Sequence, residues 1–189
     1  MTGDSLRERS KARRRDAILT AAYELFAERG FDATSIADIA EAAEVSPRTV
    51  TLYFPTKLEL AMAHFNTFVD QLSATLRARP AGQGIIDTVE QWLREQADHQ
   101  GKFDGLHDRM LQANPQLKGL CRSRLTDVVQ DGARLLAEEQ GWRADAFAPR
   151  ILAATVASVI GELTHRSEPG DLETAMTFIR AAAATLQPG

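Results

Sequence analysis

At 189 residues, 44% hydrophobic and 25% charged, the chain has the composition of a globular protein of one domain or two small ones. No apolar run nears the roughly 18 residues of a membrane span, and the start MTGDSLRERSKARRR lacks the apolar stretch of a signal peptide. A single cysteine, Cys121, excludes an intramolecular disulfide and fits a reducing, cytoplasmic interior, while the net charge of −4 runs against a uniformly basic nucleic-acid binder.

The charge is unevenly spread. Between Ser5 and Arg15, the cations Arg7, Arg9, Lys11, Arg13, Arg14 and Arg15 face Glu8 alone. Such an arm either stays solvated or meets phosphate. The first predicted helix covers 10–29, with Ile18, Ala22, Leu25 and Phe26 on one face and Gly30 as its stop. In "TSIADIAEAAEVS", Thr34 or Ser35 caps a short second helix, with Ser35 and Asp38 at capping-box spacing. That helix ends near Ala43.

"EVSPRTVTLYFPTK" sets two rules against each other. Thr49, Val50, Thr51, Tyr53 and Phe54 favour a strand. Ser46 and Pro47 form a helix start, with a hydroxyl cap and then proline at the first helical position. The helix reading wins because Val50 and Phe54, four apart, can pack inward, and Pro55 then closes the helix. Thr56 and Glu59 open a fourth helix. Two short helices joined by so tight a turn have the geometry of a helix-turn-helix, which ordinary helical hairpins also share. Further helices are predicted over about 83–100, 104–113, 115–140, 145–165 and 171–186, giving an all-α chain of about nine helices. The predicted division is 1–65, arm and helix-turn-helix, and 66–189, a larger helical domain.

The helix starts carry the wrong charge for stability. Arg48 and Lys57 sit in first turns, where the helix dipole disfavours a cation by about 0.3–1 kcal/mol. An external anion such as a DNA phosphate would resolve that conflict. With Val50 and Phe54 inward, Arg48, Thr49, Thr51 and Tyr53 are left for a surface that suits the major groove.

The stretch "AAYELFAERGFDATSIADIAEAAEVSPRTVTLYFPTKLELAMAHF" resembles the N-terminal domain of the TetR family of bacterial regulators. Phe26, Gly30, Thr34, Ile36, Ile39, Ala40, Val45, Ser46, Thr49, Tyr53, Phe54 and Lys57 fall in register. The resemblance implies a homodimer that places Pro47 to Tyr53 in the major groove of a near-palindromic operator. It also implies phosphate contacts from Thr34 or Ser35, Tyr53 and Lys57. Glu44 stands where the family often has a turn glycine, and Thr51 where an aromatic is common.

The resemblance further implies that the last two helices form the dimer and the middle helices enclose a small-molecule inducer, with no cofactor. Ala153, Ala157 and Gly161 make a small-residue stripe, matched by Ala175, Phe178, Ile179, Ala182 and Leu186. It serves either a dimer or packing within one subunit. Trp92, Phe103, Met110, Leu125 and Val129 are candidates for the pocket or for the core. Against an enzyme or metal-responsive protein, Asp98, His99, Asp104, His107 and Asp108 match no standard metal spacing. Cys121 has no base partner in the sequence, and no phosphate loop or nucleophile elbow occurs. A helical interaction module without operator binding is the remaining alternative, and it predicts no salt-sensitive affinity for duplex DNA.

Overall fold

The computed structural model describes residues 2–97, 103–143, 145–165 and 168–186. Among them the chain forms nine α-helices and no strand: α1 (Thr2–Arg29), α2 (Ile36–Ala42), α3 (Pro47–Tyr53), α4 (Lys57–Arg77), α5 (Ile85–Ala97), α6 (Asp104–Ala113), α7 (Pro115–Gln140), α8 (Phe147–His165) and α9 (Asp171–Thr185). The predicted helices are all present. The chief difference is at the start: α1 begins at Thr2 rather than near residue 10 and takes in the whole basic arm. No glycine or proline interrupts the chain between Asp4 and Arg29, and arginine, lysine and alanine are good helix formers.

The chain packs as two units. One holds Met1–Asn66 with Lys102–Cys121, and the other Thr67–Gly101 with Arg122–Gly189. The division is therefore not the contiguous one at residue 65. α6 joins the helix-turn-helix unit because Phe103, Leu106, Met110 and Leu111 pack into a core built on Ile18, Tyr23 and Phe26 of α1.

In that first unit, local chemistry fixes each corner. α1 stops at Gly30, whose φ of 86° is a left-handed conformation that costs glycine nothing. Ser35 caps α2 in a two-way box: its hydroxyl accepts from the Asp38 amide, and its own amide donates to the Asp38 carboxylate at 2.7 Å. Ser46 caps α3, accepting from the Thr49 amide at 3.1 Å. Thr56 does the same for α4, accepting from the Glu59 amide at 3.0 Å.

The turn between α2 and α3 keeps its shape without glycine. Glu44 adopts a φ of 53°. Its amide donates to the Glu41 carbonyl at 3.1 Å and the Val45 amide to that of Ala40 at 2.9 Å, the paired bonds of a Schellman ending. Two backbone bonds thus hold a side-chain-bearing residue where it is strained. Glu44→Gly is expected to stabilise the unit by about 1 kcal/mol, the relief of left-handed strain less glycine's extra unfolded entropy. Chemical denaturation would measure it, and a loss of stability would show that the glutamate side chain contributes more than the strain it causes.

The second unit has its own core, built on Leu72, Leu76, Val89, Trp92, Leu136, Leu152, Ile160, Met176 and Ile179. The first amide of α5, that of Ile85, donates to the Glu139 carboxylate of α7 at 2.9 Å, placing an acid at a helix N-terminus. Arg180 of α9 pairs with Asp87 and Glu90 of α5, while Arg94 pairs with Glu90 and Glu173. These guanidiniums hold the Glu90 carboxyl below its ordinary range, Arg94 contributing most.

Candidate DNA-binding surface and apolar cavity

α3 is seven residues long and anchored by two contacts. Val50 is fully buried, and Phe54, at its C-cap, is nearly so. The Arg15 guanidinium lies over the Phe54 ring at 5.4 Å, tying α1 to the end of α3. With positions 50 and 54 turned inward, Pro47, Arg48, Thr51 and Leu52 are exposed, and Thr49 and Tyr53 are half-buried. The Thr49 hydroxyl lies 2.8 Å from that of Ser46, and the Thr51 hydroxyl donates to the Arg48 carbonyl at 3.1 Å. Leu52, 81% exposed, is the residue that sequence reasoning passed over. The signal was present: once Val50 and Phe54 face in, Arg48 and Leu52, four apart, must share the outward face.

Two of the candidates for phosphate contact are engaged within the chain. Thr34 is buried, and its hydroxyl donates to the Gly30 carbonyl at 2.8 Å, so it presents nothing to a ligand. Its neighbour Ser35 is exposed, with its hydroxyl donating to Asp38 at 2.6 Å. Lys57 points its ammonium at the carbonyls of Phe31 and Thr34, at 2.7 and 2.8 Å, with that of Asp32 at 3.5 Å. The same ammonium stands 4.4 Å from the centre of the Phe31 ring. The cation at the start of α4 is thus met by carbonyls from the α1–α2 corner. Lys57→Met, which keeps the stem and removes the donors, is expected to cost about 2 kcal/mol of stability. An unchanged denaturation midpoint with a flatter salt dependence of DNA binding would return Lys57 to a phosphate contact.

The corner that Lys57 braces is fixed from α6 as well. Asn114, 1% exposed, accepts from the Phe31 amide at 2.6 Å and donates to the carbonyls of Phe26 and Met110 at 2.8 and 2.7 Å. Beside it, the buried Tyr23 hydroxyl accepts from the His64 amide at 3.0 Å, and burial pushes the phenol well above its ordinary range. Arg7, Arg9, Lys11, Arg13 and Arg14 are all exposed on α1.

The predicted pocket residues separate. Leu125 and Val129 line an apolar cavity of about 50 Å³ in the second unit, with Phe68 and Leu72 of α4, Val89 of α5 and Val156 of α8. Its walls carry no polar side chain. Trp92 is buried behind Phe68, their rings 4.9 Å apart. Phe103 and Met110 belong to the core of the other unit and line no part of this cavity.

The dimer stripe is also redistributed. Ala153 and Ile179 are buried within the chain, so they offer no surface to a second copy. Ala153 faces Gly132 of α7, and Ala157 lines the cavity. Gly161 and Ala182 are half-buried, whereas Phe178 is 58% exposed. Phe147 on α8, 69% exposed, and Ile151 add apolar surface that the sequence reading did not assign.

Asp98 and His99 lie outside the described residues. His107 packs against Tyr23 and His64. Among the described residues no three histidine, cysteine or acidic side chains group as metal ligands, and no helix is long and apolar enough to cross a membrane. Burial pushes the Cys121 thiol up to about 11, beside the Met62 sulfur at 3.9 Å, the setting of an inert structural cysteine.

A capped short helix, a Schellman turn and a second short helix with an exposed Arg48 face define a helix-turn-helix protein of the DNA-binding class. Residues 18–63 match the model of the bacterial regulatory proteins of the tetR family. The chain is 35% identical to the HTH-type transcriptional regulator Mb3439c of Mycobacterium bovis, over 91% of this chain and 88% of that one. It is 29% identical to TcmR of Streptomyces glaucescens, an HTH-type transcriptional regulator, over 98% and 88%. In structure it is similar to NalD, the secondary repressor of the MexAB-OprM multidrug efflux pump in Pseudomonas aeruginosa. That similarity has a TM-score of 0.60 at 22% identity, covering 92% of this chain and 97% of that one. The chain belongs to the tetR family, and it is a transcriptional regulator.

Proposed function

We propose that the chain acts in the cytoplasm as a homodimeric, non-enzymatic repressor that holds a near-palindromic operator and releases it on binding a small apolar molecule. The outward face of α3 carries this reading. Arg48 is exposed on it, and no acid occurs between Glu44 and Glu59. Ser46, Pro47, Thr49, Thr51 and Tyr53 surround Arg48 as base or phosphate contacts. Ser35 and the cations Arg7, Arg9, Lys11, Arg13 and Arg14 of the helical arm add backbone contacts. Exposed Phe147, Ile151 and Phe178 of α8 and α9 support the dimer, because apolar side chains of that size gain free energy on leaving water.

The cavity supports the ligand class. With walls free of polar side chains, it favours a neutral apolar molecule, since an unpaired charge there would cost several kcal/mol. At about 50 Å³ it is far smaller than the ~300 Å³ of ordinary ligand sites, so occupation must move its walls. One wall is α4, which supplies Phe68, Val69, Leu72 and Leu76. The first residue of that helix, Lys57, braces the α1–α2 corner. A ligand preferring the spread arrangement would therefore draw on the helix that steadies the DNA-binding unit.

Sedimentation of the chain with and without a selected duplex tests the assembly. Two chains per duplex, with recognition helices about 34–36 Å apart on half-sites one turn apart or slightly more, fit the reading. A chain that stays monomeric at micromolar concentration and on DNA would exclude it.

A further inference from the structure

Leu52 is 81% exposed in the middle of α3, while Val50 on the same helix is fully buried. A leucine left in water forgoes the free energy that burial supplies, and nothing in its own unit covers it. Its exposed neighbours on α3 are Pro47, Arg48 and Thr51. Of these, Arg48 lies one turn earlier on the same face. The Thr51 hydroxyl is already donated to the Arg48 carbonyl at 3.1 Å. The face is therefore one apolar projection beside a cation, not the broad apolar patch that a protein partner would bury.

Duplex DNA offers a match for both features. In the major groove the apolar feature is the thymine 5-methyl group, and guanine presents two acceptors suited to a guanidinium. We propose that Leu52 is a specificity-determining residue that reads thymine. Its side chain packs on the 5-methyl of one thymine in each half-site, while Arg48 engages a base nearby. This inference rests on the DNA-binding reading of α3, and the charge on that face supports the choice of DNA over an apolar partner. Thymine recognition here uses methyl burial and needs no hydrogen bond from Leu52.

The test uses the full-length chain and a duplex recovered by selection from a randomised pool. Each thymine is replaced in turn, symmetrically in both half-sites, by deoxyuridine, which keeps base pairing and removes the methyl. At one symmetric position the wild type should weaken about fourfold per half-site, or about 15-fold for the pair, the value of one buried methyl at each. Leu52→Ala, at an exposed position, should keep the wild-type melting temperature and bind the thymine and deoxyuridine duplexes equally. If the wild type binds selectively yet ignores deoxyuridine everywhere, the Leu52 inference is overturned and the DNA-binding reading stands. It is likewise overturned if Leu52→Ala keeps the full deoxyuridine penalty. Failure to recover any selectively bound duplex would sink both.

Discussion

Replacing Asn114 by alanine is expected to destabilise the protein by about 3 kcal/mol. The side chain is 1% exposed and serves three backbone groups, the Phe31 amide and the carbonyls of Phe26 and Met110. An orphaned buried donor or acceptor costs about 1–3 kcal/mol, and truncation also leaves a small void. The Phe26 carbonyl keeps its bond from the Gly30 amide at 3.1 Å, which limits the loss. Against a whole-domain stability of about 5–15 kcal/mol, the effect is large. Asn114→Asp is the sharper comparison. It retains an acceptor for Phe31 but turns lone pairs toward two carbonyls, and it should be at least as damaging. Urea denaturation followed by far-ultraviolet circular dichroism, at one fixed protein concentration, measures both. A loss under about 1 kcal/mol for the alanine variant would mean that water replaces the amide at little cost.

Arg48→Ala should leave stability unchanged and weaken binding to the selected operator by about 1–3 kcal/mol per half-site. The side chain is exposed, and the acceptor it provides to Thr51 is a backbone carbonyl, which alanine keeps. Loss confined to the cognate sequence is the mark of base reading. Equal loss on all sequences, with a flatter salt dependence, would make Arg48 a phosphate contact instead.

Much of this was legible in the sequence because caps and stops are local. Ser35 with Asp38, Ser46 before Pro47, and Gly30 each announce a helix end within a few residues, and each does so in the structure. What escaped depends on distant partners. Asn114 reads as a cap before Pro115, but its side chain serves Phe26 and Phe31, over 80 positions earlier. Lys57 reads as a cation awaiting an anion, because the carbonyls that satisfy it belong to a corner over 20 residues away. Thr34 and Ser35 are adjacent candidates for one role, and only tertiary packing buries the first. Small-residue spacing in α8 permits close approach. It does not say to what, and for Ala153 the answer is Gly132 of the same chain. Hydrophobic patterning likewise marks Phe103 and Met110 as inward without telling which of two cores they fill.

In the proposed function, α3 and the basic α1 surface hold duplex DNA through phosphate and base contacts. Titration of the full-length chain against its selected duplex, at salt concentrations from about 50 to 200 mM, tests it most directly. If the bound protein neutralises about six phosphates, log K should fall by about 5 per tenfold rise in salt, with the selected duplex favoured over a scrambled one throughout. Affinity that is flat with salt, or equal on both duplexes, would contradict it.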